Sequence, residues 1–359
     1  MTAHENPLGL DGFEFVEFTS PDPEALADLF EKLGFVHLGN HVSKHVRRYA
    51  QGDINFILNM EPAGQAAEFR HAHGPSANGM AFRVGDAKQA FAMALERGAT
   101  RVETPRGPGE IDIPAIEGIG GSYLYLVDRY GAEQIYDVDF APVPGATRDA
   151  RSVGLHTLDH LTHNVNRGRM DHWAQFYERI FNFRQIRYFD IEGKLTGLHS
   201  RAMTSPDGKI RIPINEDAGE TGQIEEYLQE YKGEGIQHVA LGSHDLYESI
   251  EALIEAELEF MPAPNEIYYS RVDKRLPSHE EPMERLRKNG ILIDGEGVVE
   301  GGFTKVLLQR FGKTAIGPIF FEYIQRKGDD GFGEGNFKAL FESIEEDQIR
   351  RGVIGPKVA

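Results

Sequence analysis

Four stretches of the chain place apolar side chains at helical spacing, and each lies between short runs with strand character. The first opens at Asp22-Pro23-Glu24, with the proline where a helix tolerates it best. It continues through Leu26, Leu29, Phe30 and Leu33 and stops at Gly34. The second runs from Asp86 through Ala90, Phe91, Ala94 and Leu95 to Gly98. The third carries Met170, Trp173, Phe176, Tyr177 and Ile180, and the fourth carries Tyr247, Ile250, Leu253 and Ile254. Strands are predicted ahead of them at GFEFVEF (12–18), GMAFRV (79–84), DHLTHNV (159–165) and QHVAL (237–241). Further strands are predicted behind them at INFIL (54–58), YLYLV (123–127), KVLLQRF (305–311) and IFFEYI (319–324). The pattern is one unit, a strand, a helix and then several strands, used four times.

Segment 141–154, rich in Pro, Gly and polar residues, reads as a linker between domains 1–150 and 151–359. Residues 262–300 hold Pro262, Pro264, Pro277 and Pro282 among many charges and read as a long excursion, helical near 281–289. GDDGFGEGNF (328–337) is a glycine-rich loop before a last helix at about 336–351, with Phe337, Leu340, Phe341, Ile344 and Ile349 on one stripe and Gly352 at its end. That stripe needs a surface to cover and the loop can hinge, so the helix is expected to be a lid.

Composition narrows the chemistry. Hydrophobic residues make up 40% and charged residues 26%, the profile of a soluble globular protein. There is no cysteine, which excludes thiolate metal sites and cysteine nucleophiles, so a metal here must use His, Asp or Glu. Against 57 acidic residues stand 38 basic ones, a net charge of −19 that repels phosphate backbones and argues against nucleic-acid partners. The opening MTAHENPLGLDGFEF lacks a signal-peptide pattern, and no 18-residue stretch is free of charge and turn signals. The expectation is a cytoplasmic protein with no membrane span.

No H-E-x-x-H, G-x-S-x-G or phosphate-loop motif occurs. His37, His41 and His45, and likewise His71 and His73, are expected in solvated loops. Asp159-His160-Leu161-Thr162-His163 says more. Alternate residues of a strand face opposite sides, so His160 and His163 cannot easily share one metal. His238 lies at the matching strand of the fourth unit, and Glu322 sits among Phe320, Phe321 and Ile324, where a charge is costly unless paired. Two imidazoles and one carboxylate on separate strands could form a facial triad suited to non-haem Fe(II). They could equally be hydrogen-bonded polar groups of the core. By repeat register His238 corresponds roughly to Gly79, His160 to Phe13 or Glu14, and Glu322 to Asp137. The first half therefore lacks the imidazoles, and one site per chain is expected.

The segments DHLTHNV (159–165), RIPINE (211–216), GQIEEYL (222–228), GIQHVA (235–240), LLQRF (307–311) and FFEYIQRKGDDGFGEGNFKALFE (320–342) resemble the 4-hydroxyphenylpyruvate dioxygenase family of the vicinal oxygen chelate superfamily. The resemblance implies an α+β fold of two domains, each a pair of βαβββ modules, with a C-terminal lid helix. It implies Fe(II) held by His160, His238 and Glu322. Ser200, Asn215, Gln223, Gln237 and Gln309 become the polar residues of the substrate pocket, with Gln237, Gln309 and Asn215 also serving catalysis. Phe332 and Phe337 would sandwich a phenol ring and Phe311 would form a further wall. The implied reaction takes 4-hydroxyphenylpyruvate and O2 to homogentisate and CO2 in tyrosine catabolism, by oxidative decarboxylation and ring hydroxylation with side-chain migration. The substrate brings its own oxo acid, so no 2-oxoglutarate is needed. A homo-oligomer, dimer or tetramer, is implied as well. Alternatives remain: a 4-hydroxymandelate synthase, which hydroxylates the benzylic carbon; an extradiol ring-cleaving dioxygenase; and a metal-free binding protein of the same fold. A pigment- or haemolysis-associated role could also follow from the same enzyme, since homogentisate oxidises to brown pigment.

Overall fold

The computed structural model describes residues 4–193, 195–219, 221–300 and 303–355. The first half contains β1 (Phe13–Thr19), α1 (Pro23–Lys32), β2 (Val36–His41), β3 (Val46–Gln51), β4 (Ile54–Asn59), α2 (Gln65–His73), β5 (Ser76–Arg83), α3 (Ala87–Glu96), β6 (Ala115–Glu117), β7 (Tyr123–Val127), α4 (Ile135–Asp139) and β8 (Phe140–Pro142). The second half begins with β9 (Leu155–Asn164), α5 (Met170–Phe181), β10 (Arg184–Glu192), β11 (Gly197–Thr204), β12 (Arg211–Asp217), α6 (Gln223–Tyr231) and β13 (Gly235–Ser243). It continues through α7 (Leu246–Glu255), α8 (Glu266–Ser270), α9 (Val272–Arg275), α10 (Met283–Asn289), β14 (Leu292–Glu300), β15 (Phe303–Ile316), β16 (Ile319–Lys327) and α11 (Glu334–Arg351).

Each half is one eight-stranded sheet, ordered β6-β7-β5-β1-β4-β3-β2-β8 and β10-β11-β12-β9-β13-β16-β15-β14. The first strand of every module pairs in parallel with its last: β1 with β4, β5 with β7, β9 with β12 and β13 with β16. The two modules of a sheet meet through the antiparallel pairs β1–β5 and β9–β13. This is the α+β arrangement of paired βαβββ modules. In the second module of the first half the strand ahead of β6, the counterpart of β14, is reduced to the bridge Arg101–Ile116, and β8, which follows the module's last strand, joins the far edge beside β2.

The four predicted helices form where expected. Asp22, Asp86 and Asp245 cap α1, α3 and α7 by accepting backbone N–H bonds. α5 ends on Asn182 in the left-handed conformation. Its buried stripe, Trp173, Phe176, Tyr177 and Ile180, belongs to an apolar core that runs through both halves. Phe56 stacks on Phe321 with ring centroids 5.9 Å apart, and Phe82 meets Phe181 edge-on at 5.2 Å.

Three expectations change. The excursion ends near Gly290, and β14 follows it, paired antiparallel with β15. His37 and His41 lie on β2, and His71 and His73 on α2, rather than in loops. The repeat equivalence also shifts. The row His160–Ala240–Glu322 across β9, β13 and β16 matches the row Phe15–Ala81–Tyr125 across β1, β5 and β7, with Gly79 at the place of His238. Phe15 and Tyr125, not Phe13 or Glu14 and Asp137, therefore occupy the other two positions. Asp137 lies on α4.

Candidate metal centre

Strand register builds this site. Ala240 stands level with His160 on one side and Glu322 on the other, and His238 is two residues along the same strand, hence on the same face. Between the two outer ligands the row holds only a methyl group, which leaves room in front of it. His160 Nε2 lies 3.1 Å and His238 Nε2 3.2 Å from the same Glu322 oxygen, and the two nitrogens are 3.3 Å apart. Donors around one ion at metal–ligand distances near 2.1 Å sit about 3.0–3.4 Å from one another, so the triangle fits a single ion. Among the described residues this is the cluster with metal-holding geometry. All three residues are buried.

The rear atoms of the triad are fixed. Asp159 Oδ1 accepts from His160 Nδ1 at 2.8 Å, and Gln237 Oε1 accepts from His238 Nδ1 at 3.1 Å. Both imidazoles thus turn a lone pair at Nε2 toward the carboxylate. Gln309 Nε2 donates to the other Glu322 oxygen at 2.8 Å. Burial works against charge on Glu322, but imidazoles protonated at Nε2 outweigh it and hold its carboxyl below the ordinary range. Asp159 is also buried, and Arg326 holds it ionised through bonds of 2.7 and 2.8 Å, with Arg211 at 3.8 Å.

In front of the triad lies a cavity bounded by Thr162, Phe189, Ser200, Asn215, Phe332 and Phe337, with Pro213, Gln309 and Phe311 completing the wall. It measures about 30 Å³, room for no more than a few waters. Phe332 meets His160 edge-on at 5.6 Å, and Phe337 meets Phe189 at 5.9 Å. Ser200 and Asn215 are cross-strand partners on β11 and β12, and Ser200 Oγ and Asn215 Oδ1 are buried without a hydrogen-bond partner. Gln309 Oε1 accepts from Asn336 on α11 at 2.8 Å.

Two sequence candidates sit elsewhere. Gln223, at the start of α6, lines a separate cavity of about 500 Å³ with Glu226, Phe320, Lys313 and Arg351. Gln237 faces that cavity too, and touches the site through His238 and Asn215. His163 points to the opposite face of β9, where its Nε2 meets the Tyr177 hydroxyl at 2.7 Å. Thr162, whose hydroxyl is 2.9 Å from His238 Nε2, could have been found from its parity with His160. Asp159, Arg326, Asn336, Phe189 and Pro213 carried no signal in the local pattern.

Comparison with known proteins agrees with this architecture. A family model described as "Hydroxyphenylpyruvate dioxygenase, HPPD, N-terminal" matches residues 4–141, and one described as "Glyoxalase/Bleomycin resistance protein/Dioxygenase superfamily" matches residues 157–274. The chain is 59% identical over 352 residues to a 4-hydroxyphenylpyruvate dioxygenase of Pseudomonas aeruginosa, covering 97% of each. It is 59% identical over 354 residues to a protein of Vibrio vulnificus named Hemolysin VllY, covering 97% of this chain and 98% of that one. A solved structure of a 4-hydroxymandelate synthase variant from Streptomyces coelicolor shares the fold, with a TM-score of 0.81 at 24% identity over 95% of this chain and 99% of that chain. The triad on its three neighbouring strands stands within near-full-length likeness, and the chain belongs to the 4-hydroxyphenylpyruvate dioxygenase family.

Proposed function

We propose that this chain is a ferrous-iron enzyme that converts 4-hydroxyphenylpyruvate and O2 to homogentisate and CO2. The observation that carries the reading is the buried His160–His238–Glu322 triangle, each member held from behind, facing an aromatic-walled cavity. Residues 151–359 form the catalytic domain. Residues 1–150 form a companion domain in which Phe15, Gly79 and Tyr125 stand where the ligands would be.

Bound Fe(II) would supply open positions for the 2-oxo acid and O2 together with the electrons for oxygen activation. The chain's own residues supply the geometry. Asp159 and Gln237 fix the imidazole tautomers, and Gln309 fixes the carboxylate. Ser200 and Asn215 offer buried, unpartnered polar atoms that suit the hydroxyl of a neutral phenol, since a charged partner there would be costly. Phe332 and Phe337 face the ring from the loop and helix above, and Phe311 closes the wall. A substrate of this size needs a pocket of roughly 300 Å³, so the closed site must open, with α11 as its lid. Closure afterwards excludes water from the reacting centre. Gln223 stands on the approach between α6 and α11 rather than at the chemistry.

No helix among the described residues is long and apolar enough to cross a membrane. With the strongly acidic surface, this supports a cytoplasmic enzyme. Ile186 and Tyr188, exposed on the edge strand β10, support assembly into a homo-oligomer. The test is anaerobic loading with Fe(II), then 4-hydroxyphenylpyruvate and air, with metal content and products measured. One iron per chain and homogentisate are expected. Accumulation of 4-hydroxymandelate, or no oxygen consumption by the loaded protein, overturns the proposal.

A further inference from the structure

Two hydrogen-bonded paths lead from the triad to the segment that closes over it. The first leaves His160 through Asp159 to Arg326, which grips Asp159 with two bonds and donates through Nη1 to the carbonyl oxygens of Asp329 and Gly331. Those carbonyls belong to the loop that presents Phe332, and the Arg326 guanidinium lies 5.9 Å from that ring. The second path leaves Glu322 through Gln309 to Asn336 in the first turn of α11, and ends on the Tyr268 hydroxyl, which donates to Asn336 at 2.8 Å. The loop passes close enough to Gln309 that a Cβ on Gly333 would lie 2.4 Å from its amide oxygen, at a φ of +66°. Glycine is what permits the approach.

We propose that Arg326 and Asn336 are positioning residues that couple closure of loop 328–333 and α11 to the orientation of two metal ligands, His160 and Glu322. The proposal rests on reading the triad as a metal site. Its logic is reciprocal: if the closed lid holds the ligands in place, an ion on the ligands must stabilise the closed lid by the same free energy. Opening the lid for substrate removes the carbonyl partners of Arg326 and the amide partner of Gln309, and so loosens the ligands. Closing restores them. Arg326 suits the first path because its planar fork can hold a carboxylate on two nitrogens and leave a third for the loop, which a lysine cannot do.

The test uses the full chain with Co(II) as an air-stable probe ion. Affinity is measured by calorimetric titration, and hydrogen exchange of residues 329–341 is followed with and without the ion. In the wild type, Co(II) should bind once per chain and slow exchange across this segment. Arg326→Lys keeps a cation beside Asp159 but loses the fork, and Asn336→Ala cuts the second path. Each should weaken Co(II) binding roughly 10- to 100-fold and lose most of the exchange protection that the ion confers. A merely structural role would leave that ion-induced protection intact. Each path stands or falls with its own variant, and wild-type affinity with full protection in both overturns the coupling. Should Arg326→Lys fail to fold, Arg326→Gln, which also lacks the fork, decides the first path. A wild type that binds no Co(II), or a His238→Ala variant that binds it normally, refutes the triad reading instead and is thereby told apart.

Discussion

Gln309 donates to the Glu322 oxygen that does not face the imidazoles, at 2.8 Å, so both oxygens of that buried carboxylate are spoken for. Replacing Gln309 by Leu removes this bond and leaves one oxygen unsatisfied in a dry site. The carboxylate is then free to swing. Gln309→Leu should lower metal affinity by roughly tenfold or more and depress turnover further. Titration with Fe(II) under anaerobic conditions checks this, and unchanged affinity and rate would falsify the orienting role.

His163 and His160 share a strand but face opposite sides of it. His163→Ala should keep iron under conditions where His160→Ala and His238→Ala lose both iron and turnover. The cost falls on stability instead. The Tyr177 hydroxyl loses its partner and a cavity opens in the core, together about 2–4 kcal/mol. Burial pushes the His163 imidazole down to about 3, so the folded protein holds it neutral. Its contribution is full above the ordinary histidine range near 6.5 and is lost as pH falls from there toward 3. Equal iron loss in all three variants would show that the strand register is misassigned.

Ala240 is the small residue between His160 and Glu322 in the cross-strand row. Ala240→Leu projects a branched side chain into the space in front of the triad. Metal content after anaerobic reconstitution should drop sharply. Overpacking should cost about 1–3 kcal/mol of stability, so the fold survives in a protein of this size. A variant that still binds one iron per chain would show that the ion sits elsewhere.

The triad was legible in part: His238 and Glu322 each interrupt an apolar run, where a polar group must have a reason, whereas His160 stands in the polar run DHLTHN and only the family resemblance chose a metal site over hydrogen-bonded core groups. The repeat then placed His160 and His238 on neighbouring modules. Gln237 and Gln309 were named through the resemblance, but Arg326 was not legible as a partner, because its contact with Asp159 spans 167 residues. β14 was hidden by its own composition, since LIDGEGVVE puts two glycines and acidic residues where a strand usually carries apolar ones. Helices α2 and α6 are short and fell between the repeated units. The error over Asp137 has a similar origin. Matching positions along the chain took no account of strand pairing, whereas the observed register carries the row through Ala81 to Tyr125 on β7. Gln223 was assigned by motif position, which says nothing of which wall of a two-cavity region it faces. The side chain of Leu340, expected on the stripe of the last helix, lies outside the described residues.

Asp217 ends β12 and accepts from the backbone N–H of Glu225 near the start of α6. Burial, reinforced by the charge of Glu225, pushes its carboxyl up to about 6 despite the backbone bonds. A folded-state value above the ordinary one means that the folded protein favours the protonated form. Stability is therefore highest below the ordinary aspartate range and falls as pH rises through 6. At pH 8 the charge costs at most about 3 kcal/mol. Asp217→Asn keeps an acceptor oxygen and removes the charge. Its melting temperature relative to the wild type should rise between pH 5 and pH 8. A difference that stays flat over that window would show that Asp217 is ionised at no cost.

The lid reading of α11 has the sharpest consequence. Among its ties are Gly335 to Asp294 and Asn336 to Gln309 and Tyr268 near its start, Glu345 to the backbone N–H groups of Leu195 and Thr196 in its middle, and Arg351 and Gln348 to Glu226 on α6 near its end. Beneath it the cavity before the triad holds about 30 Å³, well short of what a substrate of this size needs, so entry calls for these ties to give. Glu345→Ala removes the middle tie, including the bond from the Thr196 hydroxyl. It leaves the triad, Gln309 and both phenylalanines in place. Hydrogen exchange in α11 should rise, and more oxygen should be consumed per homogentisate formed, because a site that opens during turnover lets water and intermediates escape. Truncation after Lys327 is the severe form. It removes Phe332, Phe337 and the helix together, and should leave a protein that still binds iron, more weakly, but couples little of its oxygen use to product. If the truncated protein keeps full coupled turnover, the helix covers nothing that matters. Coupling unchanged in Glu345→Ala despite faster exchange in α11 would mean that the helix moves without gating the chemistry, and the lid reading would fall.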